Sequence, residues 1–194
     1  MASATDSSKY LKLLETGQKL FWKHGFKRVT IEEICRKADV SKMTFYRFFE
    51  NKIDLAKTIF RNVAKEGTER LNEIFDLDIP PSEKLKRIIT MKAEGTNDIS
   101  REFLMDFYNS DDRELPEFVE KVTKELWDEV IKSFRHAQED GWIRRDFKPE
   151  VLFYLSQKLA GIITDKELLK LYNNQQELIL EFANLFTYGI SPHD

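Results

Sequence analysis

The stretch from Thr30 to Lys52, TIEEICRKADVSKMTFYRFFENK, leaves a folding chain few choices. Thr30-Ile31-Glu32-Glu33 has the order of a capping box, with Thr at the N-cap and Glu three residues on. It starts a short helix whose inner face is Ile31, Ile34, Cys35 and Ala38. Asp39-Val40 makes a turn, and Ser41 caps a second short helix in which Phe45 and Phe49 share a face one turn apart. Asn51 and Asp54 form another cap pair, opening a long helix to about Phe75 with Leu55, Ile59, Val63, Leu71 and Ile74 in register. The second short helix also carries Lys42, Thr44, Tyr46 and Arg47, hydrogen-bond donors and cations within six residues. That is the make-up of a helix suited to a DNA groove.

Charge is distributed to match. The chain of 194 residues has a net charge of −3, which taken whole argues against nucleic acid. Residues 1–55, however, carry +4 and the remainder −7. A basic head on an acidic body is expected when one end alone meets phosphate.

The other signals are helical. Residues 1–8 are Ser/Thr/Ala-rich and expected to be disordered. A first helix is predicted from about Ser8 to His24, with Tyr10, Leu13, Leu14, Gly17, Leu20 and Phe21 at helical spacing. Gly25 sits where a left-handed cap would end it, and Phe26 can fold back onto that end. Ile79-Pro80-Pro81 is the clearest break. Beyond it helices are expected at about 82–95, 100–110, 115–140, 149–171 and 175–189, separated by Gly95 to Asp98, Asn109 to Asp112 and Gly141 to Lys148. Pro149 suits a first helical turn, and Asn174 with Glu177 resembles a cap. The expectation is an all-α chain of about nine helices: a three-helix DNA-binding head, 1–55, and a helical ligand-binding and dimerisation body, 56–194.

From Leu20 to Leu55, LFWKHGFKRVTIEEICRKADVSKMTFYRFFENKIDL, the chain closely resembles the DNA-binding head of the tetracycline-repressor (TetR) family. The resemblance rests on Phe21, Gly25-Phe26, Thr30, Ile34, Ala38, Val40-Ser41, Phe45-Tyr46, Phe49, Lys52 and Leu55 holding their spacing together. It implies a helix-turn-helix head reading a palindromic operator as a homodimer, and a body that takes a small-molecule effector. Met43 departs from the family pattern, which often has Gly or a small residue there, and Phe48 stands where a polar or smaller aromatic residue is common. Met43 offers an apolar side chain that could meet a thymine methyl.

The DNA-contacting residues expected are Thr30, Ser41, Lys42, Met43, Thr44, Tyr46, Arg47 and Lys52. Lys42 and Thr44 point toward base edges, Tyr46 and Arg47 can reach phosphates, and Thr30 and Lys52 lie at helix N-termini that favour phosphate. Ile34, Val40, Phe45, Phe49 and Leu55 are assigned to the head's core. In the body, Met91, Phe103, Phe107, Trp127 and Ile131 are the expected walls of a pocket for an apolar or aromatic effector. The wide apolar arcs of the last two long helices predict a four-helix dimer interface with Leu155, Leu159, Ile162, Leu178, Phe182 and Leu185.

Other classes find little support. Cys35 is the only cysteine, so no internal disulfide and no thiolate zinc site is expected. The three His are scattered without metal-ligand spacing, and no nucleophile elbow, Walker or dinucleotide motif occurs. No cofactor and no catalytic residues are expected. The polar N-terminus and the lack of a long apolar run point to a cytoplasmic protein with no membrane partner. The reading is a ligand-responsive transcriptional regulator, most simply a repressor. Its rivals are a helical protein-binding adaptor and a small helical enzyme.

Overall fold

In the computed structural model, residues 4–97, 99–108 and 111–191 are described. The expected separators at Asp98 and at Asn109-Ser110, and His193 of the tail, lie outside them. The described residues are all-helical, with α1 Ala4–His24, α2 Ile31–Ala38, α3 Lys42–Phe48, α4 Lys52–Asp76 and α5 Pro81–Gly95. There follow α6 Arg101–Tyr108, α7 Glu114–Glu139, α8 Glu150–Ile163, α9 Lys166–Leu169 and α10 Gln175–Gly189.

Two of these differ from the sequence expectation. Helix α1 begins at Ala4, so the segment expected to be disordered is helical from that residue on. It is tied down, because Asp6 pairs with Arg47 and Tyr10 packs on Phe48 and Phe49. The helix expected over 149–171 is two helices, which raises the number from about nine to ten among the described residues. The break has a local cause. Asp165 is extended and its carboxylate accepts the N–H groups of Glu167 and Leu168, starting α9 afresh.

The chain forms two compact units: residues 1–63 with 98–119, and residues 64–97 with 120–194. The first holds α1–α3, the start of α4, α6 and the start of α7. Its centre is Leu13, Phe21, Val29, Ile34, Phe45, Leu55 and Ile59, all essentially inaccessible. Gly17 allows α4 to approach α1, since a Cβ there would stand 3.0 Å from Ile59 and 3.1 Å from Leu55. In the second unit Phe75, Leu85, Ile88, Val130, Phe134, Trp142, Ile143 and Ile190 make the core. There the ammonium of buried Lys84 donates to the Phe75 carbonyl at 2.6 Å, satisfying the last turn of α4. Asn174 caps α10 by accepting the Glu177 N–H at 3.0 Å.

The end of α1 is the tightest joint in the first unit. Gly25 has φ +77, and its N–H donates to the Phe21 carbonyl at 2.9 Å. Phe26 folds back onto Phe21, with ring centroids 5.5 Å apart. A Cβ on Gly25 would stand 2.8 Å from both Asp106 Oδ2 and Glu102 Cβ on α6. Gly25→Ala should therefore cost about 1–2 kcal/mol for the left-handed backbone alone. Added displacement of α6 should lower the thermal midpoint by several degrees in a calorimetric comparison with wild type.

Candidate nucleic-acid interface

Helix α3 is fixed by its ends and by one face. Thr30 caps α2, its Oγ1 accepting the Glu33 N–H at 3.1 Å. Asp39 then takes the left-handed conformation, φ 55, which a short polar side chain tolerates, and its N–H returns to the Arg36 carbonyl. Ser41 caps α3 by accepting the Thr44 N–H at 3.1 Å, and the two hydroxyls lie 2.9 Å apart. Asn51 caps α4 by accepting from the Asp54 N–H at 2.9 Å, and the Asp54 carboxylate accepts from the Glu50 N–H at 3.1 Å. Inward, Phe45 and Phe49 are 0% and 2% exposed, and Tyr10 stacks on Phe49 at 5.4 Å.

Outward, α3 presents Met43, 85% exposed, and Tyr46, 56% exposed. Large apolar and aromatic groups left this open on a well-packed head are available to an occupant. Lys42 and Arg47 flank them, and both are held by carboxylates of other helices: Lys42 by Glu32 of α2, Arg47 by Asp6 of α1. Arg47 also lies 5.1 Å over the Phe48 ring. The Lys42 hydrogen bond holds the Glu32 carboxyl below its usual range, and the same bond raises the Lys42 ammonium above its own. Both groups are therefore charged at neutral pH. Cys35 is buried on the inner face of α2, and burial pushes its thiol up, so it stays protonated and a poor nucleophile.

Thr30, Ser41, Lys42, Met43, Thr44, Tyr46 and Arg47 thus come together around one α2–turn–α3 surface. Lys52 is placed differently. Its ammonium donates to the carbonyls of Val29 at 2.7 Å, Phe26 at 2.8 Å and Lys27 at 3.4 Å, and lies 4.2 Å over the Phe26 ring. Partial burial pulls its pKa down, opposed by the Asp106 carboxylate. Its donors close the α1–α2 loop. Sequence reasoning did not anticipate this use, nor the Glu32 and Asp6 pairings, because each partner lies ten or more residues away.

The residues proposed as effector walls divide between the two units. Phe103 and Phe107 lie against each other, rings tilted and centroids 4.4 Å apart, and pack on Trp22, Phe21 and Phe60 within the first unit, Phe107 fully inaccessible. Met91, Trp127 and Ile131 belong to the second, where Trp127 packs edge-on to Phe153 at 5.8 Å. A cleft of about 450 Å³ in the first unit is lined instead by Lys23, His24, Lys27, Arg28, Arg101, Glu102, Met105 and Asp106. Of the dimer set, Leu155, Ile162 and Leu185 are exposed, Leu159 and Phe182 half-buried. Leu178 is 1% exposed within the single chain and is core.

Among the described residues no group of His, Cys, Asp and Glu could hold a metal ion, and no helix is long and apolar enough to cross a membrane.

If Lys52 serves the loop, Lys52→Met should lower stability by about 1–3 kcal/mol through its stranded carbonyls. The salt slope of DNA binding should stay as in wild type. A slope shallower by about 0.9 would mean instead that Lys52 neutralises a phosphate.

Comparison with known proteins agrees with this geometry. Residues 13–59 match the family of bacterial regulatory proteins described as the tetR family. An uncharacterised HTH-type transcriptional regulator of Bacillus subtilis (strain 168), YhgD, is 23% identical over 158 residues, 80% of this chain and 82% of that one. The HTH-type transcriptional repressor DhaR of Mycobacterium sp. (strain GP1) is 23% identical over 150 residues, 72% of each chain. The fold is that of the fatty acid degradation regulator FadR from Bacillus halodurans, with a TM-score of 0.69 at 16% identity, covering 94% of this chain and 96% of that one.

Proposed function

We propose that the chain is a DNA-binding transcriptional regulator of the tetR family that acts as a repressor, binding a palindromic operator as a homodimer and leaving it when a small apolar or aromatic effector binds. The observation that carries the DNA-reading part is the outer face of α3. Met43 and Tyr46 stand free of the core beside Lys42, Thr44 and Arg47, on a helix pinned from behind by Phe45 and Phe49. Lys42, Met43 and Thr44 meet base edges in the major groove, and Tyr46 and Arg47 meet phosphates. The caps Thr30 and Ser41 set the helix N-termini against the backbone. Two such heads engage successive major grooves about 34–36 Å apart.

The division of labour we propose places DNA reading in residues 1–55 and dimerisation and effector binding in 56–194. An exposed apolar row on α8 and α10 supports the dimer: Val151, Tyr154, Leu155 and Ile162 on one helix, Leu185 and Tyr188 on the other. Exposed apolar area of this extent is characteristic of an interaction surface. Leu159 and Phe182 lie at its margin, and Leu178 supports it from the core. The effector is placed among Met91, Trp127 and Ile131, with Phe103 and Phe107 serving the packing of α6 on α1. An effector acts through its differential affinity for the DNA-competent and DNA-incompetent states.

Selection of bound sequences from a random duplex pool supplies the operator for testing. Lys42→Ala should then weaken operator binding by about ten- to a hundredfold, the worth of a good base contact. Tyr46→Phe should weaken it by about three- to tenfold, the worth of one hydrogen bond. Both variants should keep the wild-type unfolding midpoint. Unchanged titration curves would remove α3 from the interface. For the dimer, Ile162→Glu with Leu185→Glu should give a monomer by size-exclusion light scattering; a dimer that survives both charges would place the interface elsewhere.

A further inference from the structure

Helix α3 carries two cations, Lys42 and Arg47, and each is held by a carboxylate from a different helix. The pairings do not arise from local spacing. Glu32 is ten residues from Lys42, across the turn, and Asp6 is 41 residues from Arg47, in the first turn of α1. Three of the four side chains are more than half exposed, Lys42 53%, Arg47 53% and Glu32 62%. Ion pairs this open contribute little to folding, so they are poorly explained as stabilising devices. What they change is the surface that faces DNA. With both pairs intact, the cations of α3 are offset, and the outward face is left with the uncharged groups Met43, Thr44 and Tyr46.

We propose that Glu32 is a specificity-determining residue of the DNA-reading surface, which holds Lys42 against indiscriminate phosphate while leaving it able to reach a base edge. The inference rests on the reading of α3 as the recognition helix. Binding without sequence preference is almost wholly cation-to-phosphate attraction. A surface whose cations already have carboxylates gains little from an arbitrary phosphate, since one charge-assisted contact is exchanged for another. Glu32 adds a second penalty, because it lies in the first turn of α2, the helix end whose N–H groups favour phosphate. An operator offers more in return: base-edge acceptors for Lys42, and apolar contact for Met43, which no carboxylate competes for. A base edge is uncharged, so the Lys42 ammonium, with three donors, can reach it while still paired with Glu32, whereas a phosphate must displace or oppose the carboxylate; the acid thus costs phosphate contact more than base contact, and selectivity is a difference of this kind. The Lys42–Glu32 pair is charged on both sides at neutral pH, as the opposite shifts of the two groups require.

The test compares wild type with Glu32→Gln and Asp6→Asn by fluorescence anisotropy, using the selected operator duplex and a scrambled duplex of equal length at two salt concentrations. Each substitution should tighten binding to the scrambled duplex by about three- to tenfold and steepen its salt slope by up to about 0.9. With Glu32→Gln operator affinity should rise less, so the ratio of the two affinities falls; Asp6→Asn, which frees a cation that meets phosphate in either duplex, should raise both about equally. In a Lys42→Ala background, Glu32→Gln should lose most of its effect, because the carboxylate acts through that cation. The inference is overturned if Glu32→Gln raises both duplexes by the same factor, if it leaves the scrambled duplex unchanged, or if it acts equally without Lys42. Glu32→Asp, which keeps the charge, should stay close to wild type and controls for loss of fold. Failure of the α3 reading itself shows separately, as wild-type operator affinity in the Lys42→Ala variant.

Discussion

The α2–turn–α3 surface depends on a joint it does not contain. Gly25, Phe26, Val29 and Lys52 tie the end of α1, the α1–α2 loop and the start of α4 into one knot. A loop in which two carbonyls point at the same place needs a cation or water between them, and Lys52 supplies the cation from inside the first turn of α4. Asp106 of α6 completes the knot, accepting the Lys27 N–H at 2.8 Å. The Ser100 N–H, just before α6, donates to the Trp22 carbonyl at 2.8 Å. Because α2 begins only after this loop, its direction, and through the Asp39 turn that of α3, is inherited from the knot.

This arrangement explains the division of labour among the basic residues of the head. Sequence alone presents them as a single pool of positive charge. In the fold they have at least three employments. Lys52 serves backbone carbonyls; Lys27 pairs with Asp106 at 3.9 Å; and Lys42 and Arg47 are held at the outer face by carboxylates. A net charge of +4 over residues 1–55 therefore overstates the charge that α3 itself offers to DNA. What α3 leaves open is more chemical than electrostatic: an aromatic and thioether surface, Tyr46 and Met43, beside cations paired with carboxylates.

Legibility in the sequence followed the range of the interaction. The caps at Thr30, Ser41, Asn51 and Asn174 were readable, because a cap is made by residues three apart and its chemistry is written in consecutive letters. The inner face of Phe45 and Phe49 was readable for the same reason, helical period. The start of α1 was not, since a polar N-terminus becomes helical here through Asp6 and Tyr10, whose partners lie around residues 47–49. The break after Ile163 was missed because the apolar period runs on through Leu168 and Leu169, while the deciding signal, Asp165 as a cap, is one residue in that run. Phe103 and Phe107 mark another limit. Aromatic content announces a large buried surface, but composition does not say which helix it will cover, and here it covers α1 and α4.

Helix α10 shows why an apolar arc read as a single feature must be divided. Leu178 and Leu185 are seven residues apart, nearly two full turns, and periodicity alone gives them the same face. The structure gives them opposite fates, 1% and 60% exposed. The difference is position along the helix. Near its start α10 lies against α5, to which Gln176 also donates at the Ala93 carbonyl, 2.9 Å away. Leu178 is covered there within the chain. Further along, Leu185 and Tyr188 have no such cover, although Thr187 and Ile190 beside them are buried. An apolar arc wider than its own chain can cover is what a second copy would complete. The residues that measure that surplus are the exposed ones, Leu155, Ile162, Leu185 and Tyr188, rather than the arc as a whole.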